Sequence, residues 1–440
     1  MEMRGKCDVV VIGAGIGGLC AAARLAYSGY KTVVLEKSTT LGGRFTYADY
    51  KGYMLPTGGW MILFGKNDPI CRTLRDVEAP EVELRDLGRI RRKYKVAGKE
   101  LSLPERGGLQ ELILTASRDK AEGKKVMAMV RRALRWQEPS DTISFRDWLL
   151  QYTEDEEIYK VFQGMIKPWF GINSHEIPAG EFFRVLRNIV ASANGLLSKN
   201  GLKDVIDALE SAIRDKGGEI STRTAVTQIV VDEDGMAKGV IAQGVKEKLE
   251  VEAKVVISNA GPKKTIELAG EKNFDRGYLK EVAERVRPAV GMNFFITSDQ
   301  PLLDVDIYTD LDTSGSESWY NLSTICPELA PKDKYLIGFF ICPPSAIEYD
   351  LQEQYDAVLK DLKQSLPGFE EHGEILLTQN FRGGWPVTRS WQGYMITQKT
   401  PIECLYNVGD GVNPSGWPVA SGAAESARIV AEDIKARIKL

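Results

Sequence analysis

The chain opens on apolar blocks separated by glycine-rich breaks. Residues 7–12 (Cys7-Asp8-Val9-Val10-Val11-Ile12) form a nearly unbroken β-branched run, the pattern of a strand buried in a parallel sheet. Six residues holding four glycines follow, and then an Ala-rich helix over 19–27, a second apolar strand over 31–35 and an acid, Glu36. A strand–turn–helix–strand unit is the start of a doubly wound fold. Further along, an amphipathic helix is predicted from Gly201-Leu202-Lys203-Asp204 to Lys216. Short strands follow at 224–231, 238–242, 248–250 and 255–257, ending in Ser258-Asn259-Ala260-Gly261-Pro262. Near the end, Leu405-Tyr406-Asn407-Val408-Gly409-Asp410-Gly411 reads as a short strand ending in Gly-Asp, and an Ala-rich helix spans 419 to about 436, with Ala423, Ala427 and Val430 on one face. Between these pieces, 75–199 reads as helical. Residues 266–399 alternate in strand fashion at 290–297, 319–324, 334–342 and 374–379, with a helix at 351–366.

Composition narrows the class. At 440 residues the chain exceeds one core of ~250–300 residues, so two or three domains are expected. A net charge of −4 argues against a dedicated nucleic-acid binder. Six scattered cysteines without a CxxC pair and only two histidines, His175 and His372, predict neither a disulfide framework nor a metal site. The apolar run 9–20 behind Arg4 and Lys6 imitates a signal peptide, but Asp8 and the glycines Gly13, Gly15, Gly17 and Gly18 suit a nucleotide-binding turn better. No stretch reaches the ~20 apolar residues of a membrane span, and a cytoplasmic setting is expected, with peripheral membrane attachment open.

Candidate chemistry begins at Gly13-Ala14-Gly15-Ile16-Gly17-Gly18. Gly13 permits the tight turn, Gly15 lets the backbone approach a pyrophosphate, and Gly18 allows close helix–strand packing. The helix N-terminus stabilises phosphate charge, and Glu36 is placed to accept from ribose hydroxyls. Such a unit fits NAD or FAD equally well. The continuation Glu36-Lys37-Ser38-Thr39-Thr40-Leu41-Gly42-Gly43-Arg44 adds a glycine pair and a guanidinium able to bridge phosphate oxygens. Here, and in Pro56-Thr57-Gly58-Gly59-Trp60-Met61, the sequence resembles the FAD-dependent amine oxidase and phytoene desaturase superfamily. The 200–262 stretch and the Gly409-Asp410 element with its following helix are similar to that family's two later FAD-binding segments.

The resemblance implies non-covalent FAD, since Cys404 lies on the wrong side of the terminal strand for a flavin link. It implies an α/β fold: a Rossmann-like FAD domain with a β-meander (1–74, 200–265 and 400–440) and an inserted α+β substrate domain with a mixed sheet (75–199 and 266–399). Gly42, Gly43, Arg44, Gly58, Gly59, Trp60 and Met61 would lie along the cofactor, Val226 would meet the adenine through its backbone, and Asn259 would sit in the small-residue turn. Asp410 would bind the ribityl chain and the backbone at Val419 the flavin pyrimidine. Trp385, Trp391 and Tyr394 occupy the stretch from which relatives draw ring-facing side chains; Tyr394 is the candidate acid/base hydroxyl, with Trp60 and Trp385 as further active-site candidates and Trp417 a lesser one.

The function implied is a dehydrogenase or desaturase taking hydride from a C–C unit of an apolar isoprenoid or alicyclic substrate, with a separate electron acceptor such as dioxygen or a quinone. Alternatives are an amine oxidase, a redox-neutral isomerase using reduced FAD and, against intact FAD motifs, a flavin-free binder of prenylated partners. Residues 85–135 hold fifteen Lys/Arg against six Asp/Glu, a candidate patch for an anionic membrane surface. The apolar run 182–190 fits a buried helix better than an interfacial one.

Overall fold

The computed structural model describes residues 2–3, 5–103, 108–192, 194–313 and 317–439. Two large sheets organise it. In the first, Glu219–Ser221, Thr32–Leu35, Cys7–Ile12, Lys248–Ser258 and Leu405–Asn407 run parallel to their neighbours. These strands come from distant parts of the chain; Thr32–Leu35, Cys7–Ile12 and the second half of Lys248–Ser258 carry the buried apolar runs that a sheet covered on both faces requires, while Glu219–Ser221 is the edge strand with only Ile220 buried. The expected short strands at 248–250 and 255–257 are one strand, Lys248–Ser258. Its first half pairs antiparallel with Ala237–Gln243 in the meander, and its second half pairs parallel with Cys7–Ile12. The alternating Lys248–Ala253 segment suits a half-exposed hairpin and the following apolar run a buried strand, so one element serves both.

Helices Ile16–Tyr27, Lys203–Asp215 and Val419–Arg437 pack together on one face of this sheet around Leu19, Leu25, Leu209, Ala427 and Val430. Phe295, Leu336 and Leu376 join the same core from the second sheet.

The second sheet has the order Gly373–Phe381, Gly291–Ser298, Tyr335–Ile341, Glu317–Asn321, Ile307–Asp310, Arg92–Val96, Lys99–Ser102. It is mixed: Ile307–Asp310 lies parallel to Arg92–Val96, and the other pairs are antiparallel. One face carries Phe294, Tyr308, Trp319 and Phe339 against helix Leu351–Ser365. The helical reading of 75–199 fails at 92–102, which forms a hairpin on the sheet edge. Lys93 and Lys95 alternate with Arg92 and Tyr94 and pair with Asp304 (2.8 Å) and Asp310 (3.2 Å), so the strand's outward charges are neutralised by the neighbouring segment. Helices Gly108–Ala116, Lys120–Arg135, Phe145–Leu150, Glu156–Phe170 and Ala179–Ala191 form a separate core around Phe145, Phe162, Phe182 and Phe183. The 182–190 run is therefore a buried helix face, apart from Val190.

Candidate active site

A cavity of about 980 Å³ runs between the first sheet, the second sheet and the helical core, at the top of the ~300–1,000 Å³ range of small-molecule sites. One end is built by the N-terminal unit. Glu36 is buried, and its two oxygens accept from the N–H groups of Ala14 and Ser38, each at 2.7 Å, which fixes the carboxylate beside the glycine turn. Gly18 does not line the cavity; a Cβ there would lie 2.1 Å from the Gly13 carbonyl, so the third glycine serves packing alone. Ala14 likewise contributes its N–H rather than cavity wall.

Gly13, Gly15, Ile16, Gly17, Lys37, Gly42 and Gly43 line this end with Glu36. Opposite them stand Thr224, Val226, Lys264 and Glu267. The ladder from Ala225–Val231 to its neighbour is broken by a bulge between Val226 and Gln228, which releases backbone groups there. Asn259, with its amide oriented to satisfy both groups, accepts from Gly15 N–H (3.1 Å) and donates to the Val408 carbonyl (3.2 Å), so it ties the first turn to the last strand.

The middle of the cavity is an ionic knot. Arg44 donates to the carbonyls of Pro386 and Val387 and, through Nη2, to Asp410, all at 2.9 Å. Asp410 also accepts from the Arg389 N–H at 3.0 Å. Burial works to raise the Asp410 pKa, but the Arg44 and Arg389 charges outweigh it and hold the carboxyl below its usual range. Arg389, which sequence reading missed, is pushed down to about 10 by burial and by Arg44, with Asp410 opposing. Thr57 and Gly59 anchor the next stretch on Gly43 and Arg44, and a Cβ at Gly58 would lie 2.5 Å from the Arg44 carbonyl. Trp60 lies on Gly338, beside Phe295 (centroids 5.8 Å apart) and Tyr320 (5.2 Å). Met61 lines the wall beside it.

Two helices begin at this cavity, Ile16–Tyr27 and Val419–Arg437, and neither has a side-chain cap or an acid in its first turn. Helices Pro69–Asp76, Lys120–Arg135 and Glu156–Phe170, by contrast, start on a capping aspartate. Uncapped N–H groups and the positive helix end are thus left facing the cavity, one pair at each site where FAD would carry negative charge. Val419 holds φ 41°, a left-handed value unusual for a β-branched residue, at the start of the second helix. With the glycine turn, the Glu36 carboxylate and the Asp410 knot, this donor set fits FAD, in which Glu36 would meet the ribose, Gly15–Gly17 and Gly43 the pyrophosphate, and Asp410 and Val419 the flavin end.

Beyond Trp60 the cavity opens into a lobe roofed by Leu109, Leu112, Val161, Met165, Leu186 and Ile189 from three helices. No local signal marks these residues, since each belongs to an ordinary amphipathic pattern. Trp385 lines the cavity and is 40% exposed. Tyr394 is placed elsewhere: its ring lies edge-on to Trp391 and 4.3 Å from the Arg287 guanidinium, outside the cavity wall. Trp391, Trp417, Cys404 and both histidines also lie outside it. The basic run divides in two. Arg85, Arg91, Lys93 and Lys95 pair with Glu328, Asp306, Asp304 and Asp310. On helix Lys120–Arg135, by contrast, Lys120, Lys124, Arg132 and Arg135 meet no carboxylate among the described residues. Among those residues no helix is long and apolar enough to cross a membrane.

Comparison with known proteins agrees with this geometry. An oxidoreductase from Methanosarcina mazei superposes with a TM-score of 0.87 at 28% identity, over 97% of this chain and all of that one. An uncharacterized protein of Methanocaldococcus jannaschii is 24% identical over 94% of this chain and 96% of its own length. The 15-cis-phytoene desaturase of Solanum lycopersicum is 22% identical over 97% of this chain and 77% of its own. The model of the flavin-containing amine oxidoreductase family matches residues 16–435, so the chain belongs to that family and is an FAD-dependent oxidoreductase.

Proposed function

We propose that the protein is a dehydrogenase of the desaturase type, removing hydride from a C–C unit of a substrate with an isoprenoid or alicyclic body. The observation that carries this reading is the lobe beyond Trp60: its roof is aliphatic, and among the described residues no carboxylate or histidine lines it. Bound FAD, held non-covalently, supplies the hydride acceptor. The chain's own residues then have three tasks. Trp60, wedged on Gly338 between Phe295 and Tyr320, gives a rigid wall at the boundary between the cofactor half and the lobe. Leu112, Val161, Met165 and Leu186 exclude water and align an apolar skeleton by shape. The uncapped start of Val419–Arg437 stabilises negative charge at that end of the cofactor site. A separate acceptor, dioxygen or a quinone, completes the turnover.

The test is an anaerobic screen of the FAD-loaded protein against amines, cyclic ketones and isoprenoid or polyene lipids, following the oxidised-flavin absorbance band. Bleaching by a polyene or ketone supports the proposal. Bleaching by amines alone replaces it with amine oxidation, and catalysed double-bond isomerisation that needs pre-reduced flavin replaces it with the isomerase reading.

A further inference from the structure

One polar feature of the lobe follows from covalent structure alone. Helix Glu156–Phe170 holds Pro168 in its interior and continues past it, with the Gly171 N–H donating to the Lys167 carbonyl at 2.9 Å. Proline has no N–H, so the carbonyl four residues earlier, that of Gly164, loses its helical donor. A backbone acceptor left unpaired away from water is costly, and such groups are met by some other partner. Val161, Gly164, Met165, Pro168 and Trp169 line the cavity, the i, i+3, i+4, i+7, i+8 spacing of a single helix face. Gly164 and Pro168 lie one turn apart on that face, so the freed carbonyl lies on it too, and Gly164 has no side chain to cover it. Both residues are half-buried, whereas Phe162, Ile166 and Phe170 on the other faces are buried.

The floor of the lobe supplies the complement. Gly164 is where this helix comes down on the second sheet: a Cβ there would lie 2.4 Å from Leu311 Cδ2 and 3.9 Å from Thr309 Cγ2. Thr309 stands opposite Ser318 on the neighbouring strand, and their hydroxyls share a hydrogen bond of 2.9 Å in which either can donate. Both residues line the cavity, Thr309 buried and Ser318 half-buried. Two hydroxyls hold two protons between them, and their mutual bond uses one. Neither makes a further hydrogen bond among the described residues, to the Gly164 carbonyl included. One O–H is thus left to donate beside a carbonyl that can only accept, and the two stand too far apart to satisfy each other directly.

We infer that the substrate carries a neutral hydroxyl group, which donates to the Gly164 carbonyl and accepts from the Thr309–Ser318 pair while its apolar body lies under Leu112 and Leu186. This deepens the function proposed above and rests on the same cavity. An alcohol both donates and accepts at one atom, which is what the two halves of this subsite require. A ketone or ether oxygen only accepts and leaves the Gly164 carbonyl bare. An ammonium brings a charge into a lobe that no carboxylate lines among the described residues. The hydroxyl is a recognition handle: it fixes the direction in which the apolar body lies, which an aliphatic roof alone does not.

The experiment measures binding to FAD-loaded protein by titration calorimetry under air-free conditions, with farnesol, geranylgeraniol and menthol, the methyl ether of each, and farnesylamine. An alcohol is expected to bind at least ~10-fold tighter than its ether, as a site built to hydrogen-bond an OH rejects the analogue without one. Pro168→Ala restores the helical N–H and occupies the Gly164 carbonyl. It brings the alcohol to the ether's affinity and leaves the ether unchanged, with Tm unchanged or raised because alanine suits a helix interior better. Thr309→Val keeps the branching, removes the hydroxyl and cuts the preference from the other side; FAD content is measured for both variants. Equal affinity within every alcohol–ether pair, tighter binding of the amine, no binding of any alcohol, a preference that survives Pro168→Ala, or a parallel loss of alcohol and ether in that variant overturns the inference. The two proposals fail separately: an alcohol that binds with this preference without bleaching flavin leaves hydroxyl recognition standing and removes the dehydrogenase reading, whereas an ether that binds as tightly and bleaches as fast as its alcohol does the reverse.

Discussion

Replacing Asp410 by alanine removes the anion on which two arginines converge. Arg44 reaches it by a hydrogen bond of 2.9 Å and an ion-pair contact of 2.8 Å, and the Arg389 backbone donates at 3.0 Å. The Arg44 and Asp410 side chains are only 18% and 13% exposed, so solvent cannot stand in for a lost partner. Without the carboxylate, Arg44 and Arg389 face each other as like charges, the latter already depressed to about 10 by burial and by Arg44. Breaking a buried pair from one side costs ~3–5 kcal/mol, and the residual exposure puts this pair near ~3 kcal/mol. In a chain of this size that corresponds to a fall in Tm of at most roughly 10 °C. The pH sign follows from the depressed carboxyl: its contribution is present above the ordinary Asp pKa of ~3.9 and is lost as pH falls through the lower folded value. The defect therefore persists at neutral pH and closes only in strong acid. Flavin-to-protein ratio and Tm, measured with excess FAD for wild type, Asp410→Ala and Asp410→Asn, check this. Alanine loses both flavin and Tm, and asparagine, which keeps one acceptor oxygen, falls between. Full flavin occupancy with unchanged Tm in Asp410→Ala would refute the reasoning.

Other expectations follow from the same geometry. Gly18→Ala forces a Cβ to 2.1 Å from the Gly13 carbonyl, backbone that cannot yield, and destabilises by ~1–3 kcal/mol with loss of FAD binding. Gly384→Ala, with nothing within 4 Å, is a control within about 0.5 kcal/mol; equal Tm values for the two would contradict the packing assignment. Asp68 is fully buried and its pKa is raised from 3.8 to about 6 by that burial, despite hydrogen bonds from Ser421, Ile70 and Phe64. A carboxyl with a raised folded pKa loses stability as pH climbs from about 4 to about 6, here on the order of 3 kcal/mol. Asp68→Asn flattens that slope in a Tm-against-pH series, and a slope that persists in the variant counts against it. Helix Lys120–Arg135 is expected to bring the protein to anionic vesicles; reversing Lys120, Lys124, Arg132 and Arg135 to glutamate abolishes co-sedimentation, and wild-type protein that ignores such vesicles removes the membrane proposal.

The cofactor half was legible because its chemistry is local. Gly13 to Glu36, Gly42 to Arg44 and Gly409-Asp410 each hold their turn, strand end and functional group within a few residues. The substrate half is assembled from faces. Arg92 and Tyr94 sat inside what read as a charged helical stretch, and only pairing with Ile307–Asp310, itself too short to announce a strand, turned them toward the cavity. Leu112, Val161 and Leu186 carry no signal beyond helical amphipathicity, because what selects them is which helix packs against which. Tyr394 shows the opposite error: nearness in sequence to the Gly-Asp element gave no control over side-chain direction, and its ring turned to Arg287.

The knot between Arg44 and Asp410 joins residues 366 positions apart, and Asn259 fastens the opening glycine turn to the last strand. At a synthesis rate of ~5–20 residues per second, roughly 20–70 s pass between the emergence of the two ends of that knot. Throughout that interval the nascent chain has its first βαβ unit but neither the closing strand nor the final helix of the cradle. Flavin capture is therefore tied to synthesis of the Gly-Asp element and the helix that follows it. Ribosome-bound chains truncated before the Gly-Asp element should elute without flavin, so that bound cofactor reports the joining of two distant segments rather than early folding of the first.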